Sequence, residues 1–400
     1  MSLAAPMPGG CAKGPTPLMD GVVSRTVRRH LPFGVHFDLT YRCNERCVHC
    51  YLDHEDYGEL TTAEILAVLE QLAEAGTLLL TFSGGEIFLR PDLFEILEEA
   101  RRRHFDVSLK TNALLVTPQK AARLRELGVR RVQISIYSDD PAVHDAVTKV
   151  PGSLERTLAA IPLLQAEGLH VKIACPLMTE NLASFRGVLA LAERLGVSYI
   201  FDPTITPMID GNAEPLAHRV SGTELLPVLQ EPKLRGCRPE SVDASALPVS
   251  VGSASSSGIE GDAYDDLPCS AGQNTCYISP YGDVYPCVQL PVAAGNLRRE
   301  RFADIWSGSA ALERVRAVRQ SQLPVCSACS IRKYCERCPG LALMEGGDLV
   351  GAYERACELA EVKARLDGVA DAVSELHRRQ RATQPPMPFA ESAASAAAAR

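Results

Sequence analysis

The 400-residue chain has no excess of positive charge: 41 Lys and Arg stand against 49 Asp and Glu, a formal charge of −8. That balance argues against a broad nucleic-acid or anionic-membrane surface. No apolar run approaches the ~18 residues that a membrane helix needs. The first 30 residues hold Pro6, Pro8, Pro15, Pro17 and a basic run from Arg25 to His30, but no apolar segment of the secretory type. At 46% apolar and 22% charged residues, the composition is that of a globular protein. The expected setting is cytoplasmic, with neither nucleic acid nor membrane as partner. One further lack is local. "CNERCVHCY", residues 43–51, spaces three cysteines as C-x3-C-x2-C and stops one short of the usual four-thiolate metal site.

What the chain has is cysteine, fourteen in all. They are clustered and no secretion signal precedes them, so metal or redox chemistry is expected rather than a disulfide framework. From residue 34 to about 203, short apolar runs alternate with helical patterns. Strands are expected at 34–40, 78–85, 106–112, 131–137, 170–176 and 197–203, and helices at 61–76, 91–104, 117–127, 153–167 and 181–195. Thr61 and Glu64 fit a capping box for the first of these helices. Six strands with helices between them predict an α/β fold, a partial (β/α)6 TIM-type barrel, since a complete one needs eight units.

The expected organisation is a flexible leader at 1–32, the barrel at 33–230, a Ser/Gly/Asp-rich linker or loop at 231–267, a small cysteine-rich domain with a C-terminal helix at 268–378, and a disordered tail at 379–400.

The triplet Cys43, Cys47 and Cys50 follows the first strand, where parallel α/β folds build their sites. Three thiolates on a four-iron cube leave one iron open for a small chelating molecule. A zinc knuckle completed by His49 or His54 is the bland alternative, although His49 sits inside the short gap between Cys47 and Cys50. "SGGE", Ser83–Gly84–Gly85–Glu86, ends the second strand. Together the two motifs resemble those of the radical S-adenosylmethionine (SAM) enzymes. The resemblance implies that the triplet holds a [4Fe-4S] cluster binding SAM, and that Ser83, Gly84, Gly85 and Glu86 meet the amino group of SAM. By strand-end position it adds His49 at the adenine edge, and Asn112 and Ser135 at the ribose. It further implies one-electron cleavage of SAM to a 5′-deoxyadenosyl radical that takes a hydrogen atom from substrate. Two departures from the family pattern, Ile87 for a frequent Pro and Ala113 for a frequent Gly, remove no ligand.

The later cysteines run C-x6-C-x10-C at Cys269, Cys276 and Cys287, then C-x2-C-x5-C-x2-C at Cys326, Cys329, Cys335 and Cys338, then Cys357. Eight cysteines suit two fully ligated clusters, with two structural zinc sites as the alternative. The region is similar to the SPASM domain. That similarity implies a nearer auxiliary cluster on Cys269, Cys276, Cys287 and Cys338, and an outer one on Cys326, Cys329, Cys335 and Cys357. Three [4Fe-4S] clusters are then expected. The gap between Cys335 and Cys338 is one residue shorter than usual, which leaves their division between the clusters open. Cys175 reads as a core residue and Cys11 as a tail thiol, and Cys237 has no assignment.

SPASM enzymes mostly modify ribosomally made peptides, so the leading expectation is a precursor-peptide maturase. Val288 after Cys287 departs from the sulfatase maturases, which carry Asp there, and Cys335 departs from the Asp of the pyrroloquinoline-quinone peptide cyclase. Two saturated auxiliary clusters would accept an electron from the substrate radical, which suits an oxidative side-chain cross-link through a C–C, C–S or C–O bond. Expected partners are the precursor peptide, a reductant such as flavodoxin or ferredoxin, and a separate leader-binding protein, because 32 residues are too few for a leader-binding domain. The alternatives are a haem-pathway enzyme modifying tetrapyrrole side chains, and a zinc-stabilised binding module without catalysis. Asp38, Tyr137, Lys172 and Asp202 stand near the expected barrel mouth, and no catalytic base is assigned among them.

Overall fold

The computed structural model describes residues 17–234 and 266–369. Most of the expected linker and all of the expected tail lie outside them, as do Cys11 and Cys237. Nine strands form one sheet. Six come from the alternating region: β1 Gly34–Thr40, β2 Leu79–Gly84, β3 Asp106–Thr111, β4 Arg131–Ser135, β5 His170–Pro176 and β6 Ser198–Asp202. They pair in sequence order and in parallel, with helices α1 Pro17–Arg28, α2 Thr62–Glu74, α3 Leu93–Arg102, α4 Pro118–Glu126, α5 Pro141–Thr148, α6 Ser153–Ala166 and α7 Phe185–Leu195 around them. This is the partial barrel that the strand–helix alternation predicts. No helix among the described residues is long and apolar enough to cross a membrane.

All seven residues of β1 are buried, as expected for a strand covered on both sides. Its alternation divides the sheet. Val35, Phe37 and Leu39 join Ile65, Leu69 and Leu72 of α2 in the main core. His36, Asp38 and Thr40 turn to the other, inner face. Register continues that face across the sheet, from His36 to Thr81 to Ser108, and from Lys110 to Gln133 to Lys172. The capping box of α2 forms: Thr61 Oγ accepts from Glu64 N, and Glu64 Oε2 accepts from Thr61 N at 2.7 Å.

One expectation needs correction. The leader is not wholly loose, because Pro17–Arg28 is helical, its Val23 and Val27 pack on Phe33, Leu79 and Leu267, and Thr26 Oγ1 accepts from Asn274 Nδ2. The cysteine-rich region begins within the barrel sheet itself. β7 Thr275–Ile278 pairs in parallel with β1, and the antiparallel strands β8 Asp283–Tyr285 and β9 Gly295–Asn296 extend the same sheet. The helix Phe302–Gly308 then places Phe302 and Trp306 in the barrel core. The last helix among the described residues is Glu354–Leu366, and residues 370–378 of the expected domain lie outside them.

Candidate functional site

The cysteine loop leaves β1 without regular structure and is pinned by its backbone. Arg46 N and Val48 N donate to the carbonyls of Thr148 and Val147 at the end of α5, each at 3.0 Å. Cys50 N closes a turn onto Cys47 O, and the Arg46 guanidinium takes the carbonyls of Cys43 and Glu45, both at 2.7 Å. Glu45 N donates to Cys43 Sγ at 3.4 Å, and Tyr137 OH to Cys47 Sγ at 3.6 Å. Burial pushes the thiols up, Cys43 to about 12 and Cys50 to about 11, with Cys47 raised as well. Thiols held this way ionise only against a strong cation, and N–H and O–H donors aimed at sulfur suit the thiolates that a metal creates.

The β2 loop is pressed against the same segment. Gly85 N donates to Thr40 O at 2.8 Å, and Glu86 N to Arg42 O at 2.9 Å. A Cβ on Gly84, whose φ is +132°, would lie 2.1 Å from Thr40 O, and one on Gly85 would lie 2.3 Å from Arg42 O. The glycines therefore serve first to seat one loop on the other, a reason the motif alone did not reveal. Glu86 is fully buried. Its carboxylate accepts from Phe88 N, Thr111 Oγ1 and Asn112 N at 2.8–2.9 Å. Burial raises its pKa against those donors. Glu86 thus ties the end of β3 to the loop after β2. Asn112 carries the tie onward: its Nδ2 reaches Asn44 Oδ1 at 2.6 Å and stands 3.9 Å from Cys43 Sγ.

Of the other expected SAM contacts, Ser83 pairs in register with Asp38 at the end of β2. Ser135 sits half-buried at the end of β4, on the inner face. The His49 ring meets Tyr137 edge-on at 5.1 Å. Its Nδ1 is shielded from solvent and finds no hydrogen-bonding partner among the described residues. Burial lowers this imidazole to about 4, so it is neutral near pH 7. An orphaned polar atom beside the cysteine loop, with the glycine seat and the donors to sulfur, fits a cluster with a polar small molecule bound to it.

Sequence reasoning missed Glu45 and α5. Glu45 is buried beside Cys47, and burial brings its carboxyl up to about 7. No spacing rule singled it out. Among the positions near the barrel mouth, Asp38 is buried in a network: His36 Nε2 at 3.0 Å, and Tyr277 OH donating at 2.9 Å. Asp202 ends β6 exposed on the inner face, yet the surrounding protein raises its carboxyl.

The later cysteines separate into groups. Cys326, Cys329, Cys335 and Cys357 line one cavity with Ile331, Arg332 and Ala360. Burial raises the thiols of Cys269, Cys287 and Cys338, and the charge of Cys338 adds to the rise at the other two. The chain around them interlocks, since Gly272 N donates to Pro286 O and Cys338 Sγ lies 3.7 Å from Gln289 Oε1. Cys276 stands on β7. It pairs in register with Val35 and lies in the main hydrophobic core. Among the described residues, no three His, Cys, Asp or Glu side chains converge tightly enough for a single ion.

Comparison with known proteins agrees with this organisation. Residues 37–192 match the radical SAM superfamily, and residues 269–330 match SPASM, an iron–sulfur cluster-binding domain. An AdoMet-dependent heme synthase of Methanosarcina barkeri is 30% identical over 334 residues, 78% of this chain and 93% of that protein. The mycofactocin maturase MftC of Mycobacterium tuberculosis is 27% identical, over 74% of this chain and 75% of the relative. Among solved structures, Streptococcus suis SuiB bound to its precursor peptide SuiA shares the fold, with a TM-score of 0.64 at 17% identity over 86% of this chain and 80% of that one. A thiol triplet seated on a Gly-Gly-Glu loop, in a matched barrel, makes the conclusion direct: the chain is a member of the radical SAM superfamily and carries a SPASM domain.

Proposed function

We propose that this enzyme is a peptide maturase that removes a hydrogen atom from a ribosomally made precursor and joins two of its side chains. Two observations support the reading: the Gly84–Glu86 loop is bonded to Thr40 and Arg42 beside the cysteine loop, as a SAM site requires, and the chain is 27% identical to a mycofactocin maturase over 74% of its length. Cys43, Cys47 and Cys50 would hold the SAM-binding cluster. Ser83, Gly84, Gly85, Glu86, Asn112, Ser135 and His49 would surround SAM, with Glu86 acting by holding the loops. Cys326, Cys329, Cys335 and Cys357 would hold the outer auxiliary cluster. When bound, the clusters and SAM supply one-electron chemistry that generates the 5′-deoxyadenosyl radical and takes up an electron from substrate. The chain orients substrate over the inner face and keeps water from the cysteine loop. The setting is cytoplasmic, with flavodoxin or ferredoxin as reductant and a separate protein recognising the leader.

A second reading, modification of tetrapyrrole side chains, is favoured by the heme synthase relative and by Lys110 and Lys172 on the inner face, since lysines suit propionate carboxylates. One assay separates the two. Anaerobic enzyme, reductant and SAM are offered candidate precursor peptides from neighbouring genes, and separately a propionate-bearing porphyrin. A peptide lighter by two hydrogens supports the first reading, and a decarboxylated macrocycle supports the second and overturns the first.

A further inference from the structure

The chain after β6 is drawn to both halves of the site. Ile209 N donates to Tyr51 O at 2.8 Å, beside Cys50, and Ile205 packs with Tyr137, Cys47 and Val48. On the other side, Arg219 Nε donates to Ile205 O at 2.7 Å, while the same guanidinium takes both carboxylate oxygens of Glu345 in the cysteine-rich region. Asp202, the last residue of β6, therefore stands between the cysteine loop and that region. Alternation along β6 sets its direction. Tyr199 and Phe201 pack on the main core, so Ser198, Ile200 and Asp202 turn to the inner face. The carboxyl ends of such strands carry the reacting groups of parallel α/β barrels.

Asp38 and Asp106 share that face but are committed. Asp38 is fully buried and holds His36 and Tyr277, and Asp106 accepts from Arg131 Nη2 at 2.8 Å. Asp202 is exposed, and its Oδ1 accepts from Thr204 N at 2.8 Å. No Lys or Arg forms an ion pair with it among the described residues. The groups facing it are Thr204, Lys110 of β3 and Glu336 of the cysteine-rich region. Burial raises its carboxyl, with Glu336 adding to the rise, while Thr204 and Lys110 oppose it. A side chain open to solvent yet surrounded by protein lies in a cleft. There it is held at one oxygen and remains within reach of a substrate, as a proton acceptor must be.

We propose that Asp202 is the catalytic base of the cross-link. It takes the proton of the X–H group, X being C, S or O, to which the substrate radical is joined. Forming C–X from C–H and X–H removes one hydrogen atom, one proton and one electron from the peptide. In the proposed function the deoxyadenosyl radical takes the hydrogen atom and an iron–sulfur centre takes the electron. The proton goes to the Asp202 carboxylate and from there to solvent. This inference rests on the maturase reading and adds to it the group that serves coupling rather than hydrogen abstraction.

The test uses the full-length chain, reconstituted anaerobically, with SAM, reductant and a side-chain-deuterated precursor peptide from a neighbouring gene. Asp202→Asn should still move deuterium into 5′-deoxyadenosine, but should form the cross-linked product at least about a hundredfold more slowly. Asp202→Glu should recover part of that rate. Binding of a fluorescently labelled peptide, read by anisotropy, should match wild type in both variants. Lys110→Gln removes the cation facing Asp202, so the acid limb of the coupling rate should move to higher pH. Cross-linking at the wild-type rate by Asp202→Asn, loss of peptide binding in that variant, or an unmoved acid limb overturns the proposal. Absence of deuterium transfer in wild type is a different failure: it counts against the maturase reading itself, and the base assignment falls with it.

Discussion

Gly84 and Gly85 show what a motif conceals. The sequence marks them as residues near a ligand, but the nearest atoms are this chain's own carbonyls on Thr40, Tyr41 and Arg42. Gly85→Ala should therefore cost about 1–3 kcal/mol of stability through overpacking. It should also cut SAM cleavage at least tenfold, read by thermal unfolding and by deoxyadenosine release. Glu86→Gln keeps the volume but replaces an acceptor oxygen with a donor facing Thr111 and the N–H groups of Phe88 and Asn112. A cost of about 1–3 kcal/mol follows, with weaker SAM binding by calorimetry.

His144 supplies a pH dependence. Its Nδ1 accepts from Tyr137 N at 3.2 Å, and burial lowers the imidazole to about 4, so the folded chain keeps it neutral. The unfolded chain binds a proton below its usual value near 6.5. Stability from this group is complete above pH 6.5 and declines as pH falls toward 4. From pH 7.5 to 5.5 the loss is about 1.4 kcal/mol. Denaturant titration of wild type beside His144→Gln should show that difference. Equal slopes would show that the imidazole titrates normally.

At the scale of elements, the six barrel strands were legible because buried parallel strands are short apolar runs separated by helical periods. α5 was not. Its eight residues, PAVHDAVT, offer little periodicity, and its worth lies in long-range bonds. Asp145 in α5 accepts from Gly152 N, Ser153 Oγ and Leu154 N, capping α6 from outside its own sequence. Asp145→Ala should lower stability by about 1–2 kcal/mol. Because Thr148 and Val147 anchor the cysteine loop, the variant should also shed iron faster in air, followed at the cluster absorbance. β7 was hidden for a related reason: four residues, TCYI, gain their meaning from pairing with β1. The division of the later cysteines shares this character, since spacing counts thiols but strand register aims them.

The whole molecule is bound together more tightly than a barrel followed by an appended domain. β7 covers the free edge of β1, Phe302 and Trp306 complete the core against α2, and Trp306 Nε1 donates to His30 O at 2.5 Å. Arg298 meets Glu64, and Arg219 takes both carboxylate oxygens of Glu345. A chain ending at residue 234 would expose that strand edge and the apolar side chains beneath it. It should aggregate on expression where the full chain does not. The central claim is that Cys43, Cys47 and Cys50 hold a cluster that opens SAM, and the most direct test is 5′-deoxyadenosine release by anaerobically reconstituted protein with dithionite. Wild type should release it, and the Cys43→Ala/Cys47→Ala/Cys50→Ala chain should hold about four fewer irons and release none. Equal release by the two proteins, or none from an iron-loaded wild type, would contradict the account.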